Sequence, residues 1–182
     1  PDTYAHAIRR VTTDGKIETI AGTGVAGDNG DSGNALEMQL RRPNGLALQS
    51  NGDLYVLDTG NTRVCKVTPE GYFTTVFRDE TEPALRTASG LWVAPDASSI
   101  VFSSHTALKR WTASDSTITV LASGFDELAN ITKDTSSGDF LVADIEDSTV
   151  WRVPEEGGSR KRIAGGGISD SPDRDALDVR LD

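Results

Sequence analysis

Apolar side chains in this chain recur in short bursts divided by turn residues. The clearest series runs Leu46-Ala47-Leu48, Leu54-Tyr55-Val56-Leu57, Val64-Cys65-Lys66-Val67 and Tyr72-Phe73-Thr74-Thr75-Val76-Phe77. Between the bursts stand Asn51-Gly52-Asp53, Gly60-Asn61 and Pro69-Glu70-Gly71. Glycine supplies positive φ, proline presets φ, and asparagine tolerates the left-handed region, so each cluster can reverse the chain. Each burst is too short for a stable helix, and the pattern predicts consecutive antiparallel strands.

The unit recurs. Asn44 to Asp58, Ser89 to Ser103 and Asn130 to Asp144 each span 14 positions, and their starts are 45 and 41 residues apart. Third strands repeat an apolar–variable–basic–apolar pattern: Ile8-Arg9-Arg10-Val11, Val64-Cys65-Lys66-Val67, Leu108-Lys109-Arg110-Trp111 and Val150-Trp151-Arg152-Val153. The basic column of Arg10, Lys66, Arg110 and Arg152 reads as a solvated strand face. Four strands per step of this length is the signature of a β-propeller blade. The fold class expected is therefore all-β: a partial propeller of four-stranded antiparallel blades, about half of a six-bladed ring.

Alignment of the repeats sets the expected boundaries. Asp2-Thr3 matches Asp58-Thr59 with an offset of 56. Residues 1–22 then supply the last strands of one blade, 23–42 an inter-blade connection, and 43–80, 81–124 and 125–165 three blades. A second long connection starts over 166–182, because Ala176-Leu177-Asp178-Val179-Arg180-Leu181 matches Ala35-Leu36-Glu37-Met38-Gln39-Leu40. On this register the sequence is expected to be a fragment of a longer chain.

Pro43-Asn44-Gly45, Gly52-Asp53-Leu54-Tyr55-Val56-Leu57-Asp58 and Asn61-Thr62-Arg63-Val64-Cys65-Lys66-Val67 resemble the motifs of the NHL-repeat family. The second unit departs in carrying Ser103 where the acid would stand, and the third lacks the Pro-x-Gly start. The resemblance implies a six-bladed ring and a long inter-blade connection after Ile20. A more distant similarity to gluconolactonase-like propellers implies a divalent metal held by oxygens at first-strand positions, which here nominates Asn44 and Asn130. Calcium would suit such ligands and could polarise an ester or lactone carbonyl. Without that resemblance no cofactor is expected, and Asn44 and Asn130 read as turn caps at strand starts.

Composition narrows the partners. With 18 basic against 28 acidic residues the formal charge is -10, and no basic face is concentrated enough for phosphate neutralisation, which excludes nucleic acid. No stretch approaches the roughly 18 to 20 apolar residues of a membrane helix. Cys65 is the single cysteine, so no internal disulfide forms. The sequence leaves the compartment open, with a secreted, periplasmic or organelle-lumenal setting favoured over a nuclear one.

The chemistry-bearing motifs mostly dissolve on inspection. Gly22-Thr23-Gly24-Val25-Ala26-Gly27 spells G-x-G-x-x-G, but Asp28-Asn29-Gly30-Asp31-Ser32-Gly33 follows it in place of a helix, so no dinucleotide site forms. Asp28, Asp31 and Glu37 fail the calcium-loop spacing, and the segment reads as a polar loop followed by a helical turn over Ala35 to Leu40. His6 and His105 read as exposed loop residues. Asn130-Ile131-Thr132 is a formal sequon on a strand expected to be too enclosed for a glycan. Asp58 and Asp144 are expected to accept N–H bonds from the turn that follows each second strand. The reading favoured is a non-catalytic scaffold for a protein or other ligand, or for the remainder of its own propeller. Its contacts would come from the connections, with Asp28, Asp31, Glu37, Asp170 and Asp173 as the binding-loop carboxylates. The alternative is a metal-dependent hydrolase or lyase.

Overall fold

The computed structural model describes residues 1–81, 89–166 and 176, which form two compact units, Pro1–Arg86 and Thr87–Asp182. The expectations for the second connection, including Asp170 and Asp173, lie outside the described residues.

In the first unit β1 (Ile8–Val11) and β2 (Ile17–Ala21) form an antiparallel pair. The remaining strands make one antiparallel sheet: β3 (Ser32–Asn34), β4 (Pro43–Leu48), β5 (Leu54–Asp58), β6 (Arg63–Val67) and β7 (Tyr72–Arg78), in spatial order β3-β7-β6-β5-β4. Strands β4 to β7 follow from the alternating runs and their turns; Gly52, at φ 90°, permits the hairpin between β4 and β5. Strand β3 was not expected. Its segment was read as loop, yet Ser32, Gly33 and Asn34 pair with Thr74, Phe73 and Tyr72. The helical turn expected over Ala35 to Leu40 also shrinks to one reversal. Asn34 takes the Leu36 N–H on its side chain and the Glu37 N–H on its carbonyl, a local alternative to helix propagation. Beyond it Ala35, Met38 and Leu40 drop into a core with Ile8, Val56, Cys65, Val67 and Phe73, while Leu36 points outward.

The second unit holds two four-stranded antiparallel sheets. One contains β8 (Leu91–Val93), β9 (Ser99–Ser103), β10 (Ala107–Thr112) and β11 (Thr117–Ser123). The other contains β12 (Leu128–Lys133), β13 (Phe140–Asp144), β14 (Thr149–Val153) and β15 (Lys161–Gly165). Their shared core joins Val101, Leu108, Leu121, Phe125, Leu128, Phe140, Val142 and Val153. Trp92 meets Phe140 edge to face, with ring centroids 5.3 Å apart. The sheets approach closely at Gly90, where a Cβ would lie 2.5 Å from the Ala129 carbonyl oxygen.

A finer repeat runs through all four sheets. The third and fourth strands slip register at equivalent places: between Ile8 and Arg9, Val64 and Cys65, Leu108 and Lys109, and Val150 and Trp151. Each slip leaves one extra residue on the outer strand, Ile20, Val76, Leu121 or Ile163. Such bulges bend the strand and increase its twist. His6, Thr62 and Ser148, just before three of the third strands, also share a left-handed backbone at φ 51°, 50° and 49°. The blade-type sheets are those expected of a partial propeller.

Candidate functional site

The polar centre of the first unit is built on the two ends of a ladder. Asp58 closes β5 and Arg63 opens β6, and their backbones are directly paired. Opposed residues project to the same side of a sheet, so carboxylate and guanidinium meet: Arg63 Nε donates to Asp58 Oδ2 at 2.8 Å, and neither side chain is exposed. Arg63 has further acceptors. Nη1 reaches Asp28 Oδ1 at 2.9 Å and the Gly30 carbonyl at 3.0 Å, and Nη2 reaches the Gln39 carbonyl at 2.9 Å. The guanidinium also lies over the Phe73 ring, 5.2 Å from its centroid.

Arg78, paired across the ladder with Arg63, completes the cluster. Its Nη1 lies 2.9 Å from Asp28 Oδ2 and its Nη2 2.7 Å from Asp31 Oδ1. Partial burial works against the charge on Asp28, but Arg78 and Arg63 outweigh it and hold the carboxyl below its ordinary value. Arg78 and Thr75 do the same for Asp31. Burial pushes Asp58 the other way, opposed by the Arg41 N–H, Arg63 and Asn61. What the arrangement accomplishes is mechanical. Two arginines on the sheet grip the connection between β2 and β4 at Asp28, Gly30, Asp31 and Gln39. Asn29 grips it a second time, accepting from the Gln39 N–H at 2.7 Å and donating to the Glu37 carbonyl at 2.9 Å. The clamped segment presents Val25 and Leu36, 58% and 52% exposed.

The binding-loop carboxylates are therefore distributed unequally. Asp28 and Asp31 are brought together and turned onto arginines, whereas Glu37 is exposed. Asn44 is half-buried on β4, in the first unit; Asn130 is exposed on β12, in the second, beside a register slip between Leu128 and Ile131. The sequon asparagine is thus less enclosed than expected. Among the described residues no group of three or more His, Cys, Asp and Glu is placed to hold a metal ion. Arg63, Arg78, Asn29 and Asn61 were missed as site residues, although Asn61-Thr62-Arg63 lay within the motif that carried the family resemblance.

Two other expectations need correction. Asp58 and Asp144 do not cap the backbone of the following turn. Asp58 Oδ1 accepts the Arg41 N–H at 2.7 Å, and Asp144 accepts the Asp126 and Glu127 N–H groups at 3.0 and 2.9 Å. Ser103, the equivalent in the second sheet, accepts the Gly90 N–H at 3.0 Å. The end of each second strand thus fixes the backbone that leads into the first strand, since those N–H groups precede the ladder and need partners. His6 is no exposed bystander either: it is half-buried and its Nδ1 accepts the Arg42 N–H at 3.1 Å. Three members of the basic column are tied within their own sheets, Arg10 to Glu18, Lys66 to Asp53 and Arg152 to Asp134 and Asp139, whereas Arg110 on β10 reaches the Glu155 carbonyl and the Glu156 carboxylate, between β14 and β15 of the neighbouring sheet.

The NHL repeat profile matches residues 40–67, the stretch that contains β4, β5, the Thr59–Asn61 turn and β6. Residues 40–67 therefore carry an NHL repeat. Teneurin-4 of Homo sapiens and of Mus musculus are each 39% identical over 67 residues, covering 31% of this chain and 2% of theirs. Among solved structures, a streptogramin B lyase superposes with a TM-score of 0.66 at 17% identity, over 89% of this chain and 49% of its own. A nidogen/laminin complex gives 0.65 at 16%, covering 87% and 57%, and a catalytically inactive virginiamycin B lyase from Staphylococcus aureus with quinupristin gives 0.63 at 16%, covering 93% and 51%. This chain spans about half of each of those structures and a small fraction of the teneurins. At these identities the structural likeness establishes the fold alone.

Proposed function

We propose that this NHL-repeat segment works as a binding scaffold for another protein, with the clamped connection between β2 and β4 as its contact surface. The observation that carries the reading is Arg63: a fully buried cation whose bonds to Asp28, Gly30 and Gln39 hold a long connection in one conformation. A loop fixed in advance loses less entropy on association, so its exposed apolar residues Val25 and Leu36 bind at lower cost. The nidogen structure, solved as a complex with laminin, supports protein recognition by a propeller of this kind. Among the described residues no helix is long and apolar enough to cross a membrane.

Photo-crosslinking from Val25 and from Leu36 in the complete protein tests the reading, with exposed Val120 on the second unit as the control position. A discrete protein adduct is expected from the loop positions, lost when Asp28 to Gly33 is replaced by a Gly/Ser linker. Equal adduct yield from Val120, or an adduct that survives the linker, would remove the connection as the contact surface.

A further inference from the structure

The second unit carries a polar groove between its two sheets, at the end where the β8–β9, β10–β11 and β12–β13 hairpins turn. Trp92, Val101 and Arg110 oppose one another across β8, β9 and β10, so their side chains leave the same face of that sheet. Val101 is sealed in the shared core, while the residues on either side of it meet groups from the other sheet. Lys133 Nζ lies over the Trp92 ring, 4.5 Å from its centroid, and pairs with the Glu155 carboxylate. Arg110 donates through Nη2 to the Glu155 carbonyl. Its Nε is buried without a hydrogen-bond partner, where buried donors are normally satisfied. Glu155 thus ties Lys133 to Arg110 and stands between two lobes, of about 660 Å³ on the Lys133 side and about 540 Å³ on the Arg110 side. Ser98 and Ser99 line both lobes, and each lobe has the size of a small-molecule site. Gly138 leaves room for the carboxylate, since a Cβ there would lie 2.9 Å from Glu155 Oε2.

The lining selects a class of ligand. Arg110 and Lys133 are matched by Glu155 and Glu156, so a ligand of either charge loses to one pair what it gains from the other. Much of the remaining lining is hydroxyl, including Ser98, Ser99, Thr112 and Thr132, and each hydroxyl both donates and accepts. An apolar ligand would strip these groups of water and return no hydrogen bonds. Trp92 and Pro95 add apolar surface to the larger lobe. We propose that this groove binds a neutral oligosaccharide, one ring in each lobe with Glu155 between them. Sugar hydroxyls donate to the Glu155 carboxylate and accept from Lys133 and Arg110, and the C–H surface of one ring rests on Pro95 and Trp92. The site lies wholly within the second unit and is independent of the connection in the first.

The probes are maltotriose, cellotriose, mannotriose and triacetylchitotriose, neutral sugars of different linkage, titrated by NMR into the isotope-labelled whole chain. Trigalacturonate and inorganic phosphate serve as charged comparisons. Saturable shifts of the Ser98, Ser99, Lys133 and Glu155 amides are expected with at least one neutral sugar. Glu155→Gln should weaken that sugar about tenfold, because a hydrogen bond to a charged acceptor is lost. Ser98→Ala should weaken it less, and because Ser98 is exposed this second variant keeps its fold. No response to any neutral sugar, shifts confined to residues outside the groove, or affinity indifferent to both substitutions would overturn the proposal. A response to trigalacturonate or phosphate alone would overturn it too, by assigning the groove to an anion.

Discussion

Asp58 and Arg63 sit opposite each other at one end of the β5–β6 ladder, 2.8 Å apart and both fully buried. The equivalent ladder pairs are Ser103–Leu108, Asp144–Thr149 and Asp2–Ala7. Where the acid and base are lost together, a hydroxyl and an apolar residue replace them. Where Asp144 remains without an arginine, it turns to two backbone N–H groups. The series shows what burial demands: a charge is kept only with donors to satisfy it.

That series predicts a rescue. Arg63→Leu alone leaves Asp58 buried against an apolar neighbour and should cost about 3–5 kcal/mol, the range for breaking one side of a buried pair. Arg63→Leu combined with Asp58→Ser copies the Ser103–Leu108 pair and should be more stable than Arg63→Leu alone. Urea unfolding of the single and double variants checks it; a double variant no more stable than the single would show that Arg63 matters chiefly through the connection.

Acid should loosen the connection before it unfolds the sheet. Asp28 and Asp31 are held below their ordinary value of 3.8 in the folded chain, so their contribution is complete above that value and is lost as pH falls through the lowered ones. Asp58 is raised, so it acts in the opposite sense, gaining a proton more readily folded than unfolded. Carboxyl carbon shifts across this window, read by NMR, should show Asp28 and Asp31 titrating below pH 3.8 together with amide shifts at Gly30 and Gln39. Midpoints at or above the ordinary value would contradict the clamp.

Gly90 is required for its size. A methyl group there would meet Ile131 Cγ1 at 2.4 Å and the Ala129 carbonyl at 2.5 Å, so Gly90→Ala must push β8 away from β12. Its φ is not in the left-handed region, so strain from the backbone adds nothing. Overpacking of this kind costs about 1–3 kcal/mol. Trp92 and Trp151 pack against the adjoining core, so tryptophan fluorescence during thermal melting should report a lower Tm than for the parent chain.

Cys65 should behave as an inert core residue. Its side chain is fully buried and burial drives the thiol well above its ordinary range. Labelling by a thiol reagent at neutral pH should follow the unfolding equilibrium, accelerating with urea in parallel with loss of structure. Fast labelling without denaturant would mean that the β5–β6–β7 region opens locally.

The strands and their fold class were legible in the sequence because a half-buried sheet imposes a period of two, and turns demand glycine, proline and asparagine at fixed offsets. Leu54–Asp58 and Arg63–Val67 could be placed from those rules alone. The repeated Asp at the end of second strands was equally visible, but its partners were not: the Arg41, Asp126 and Glu127 amides lie 17 or 18 positions upstream and arrive only when the first strand folds back. The connection shows the same division. Asp28, Asp31 and Glu37 are indistinguishable as carboxylates in a polar segment. Only the tertiary structure turns the first two onto Arg63 and Arg78, draws Ser32–Asn34 into the sheet and leaves Leu36 outside while Met38 and Leu40 go in. Local periodicity is a property of neighbouring residues and is written along the chain. Charge pairing across 35 positions, and the burial that makes it matter, exist only once distant segments share one face of a sheet.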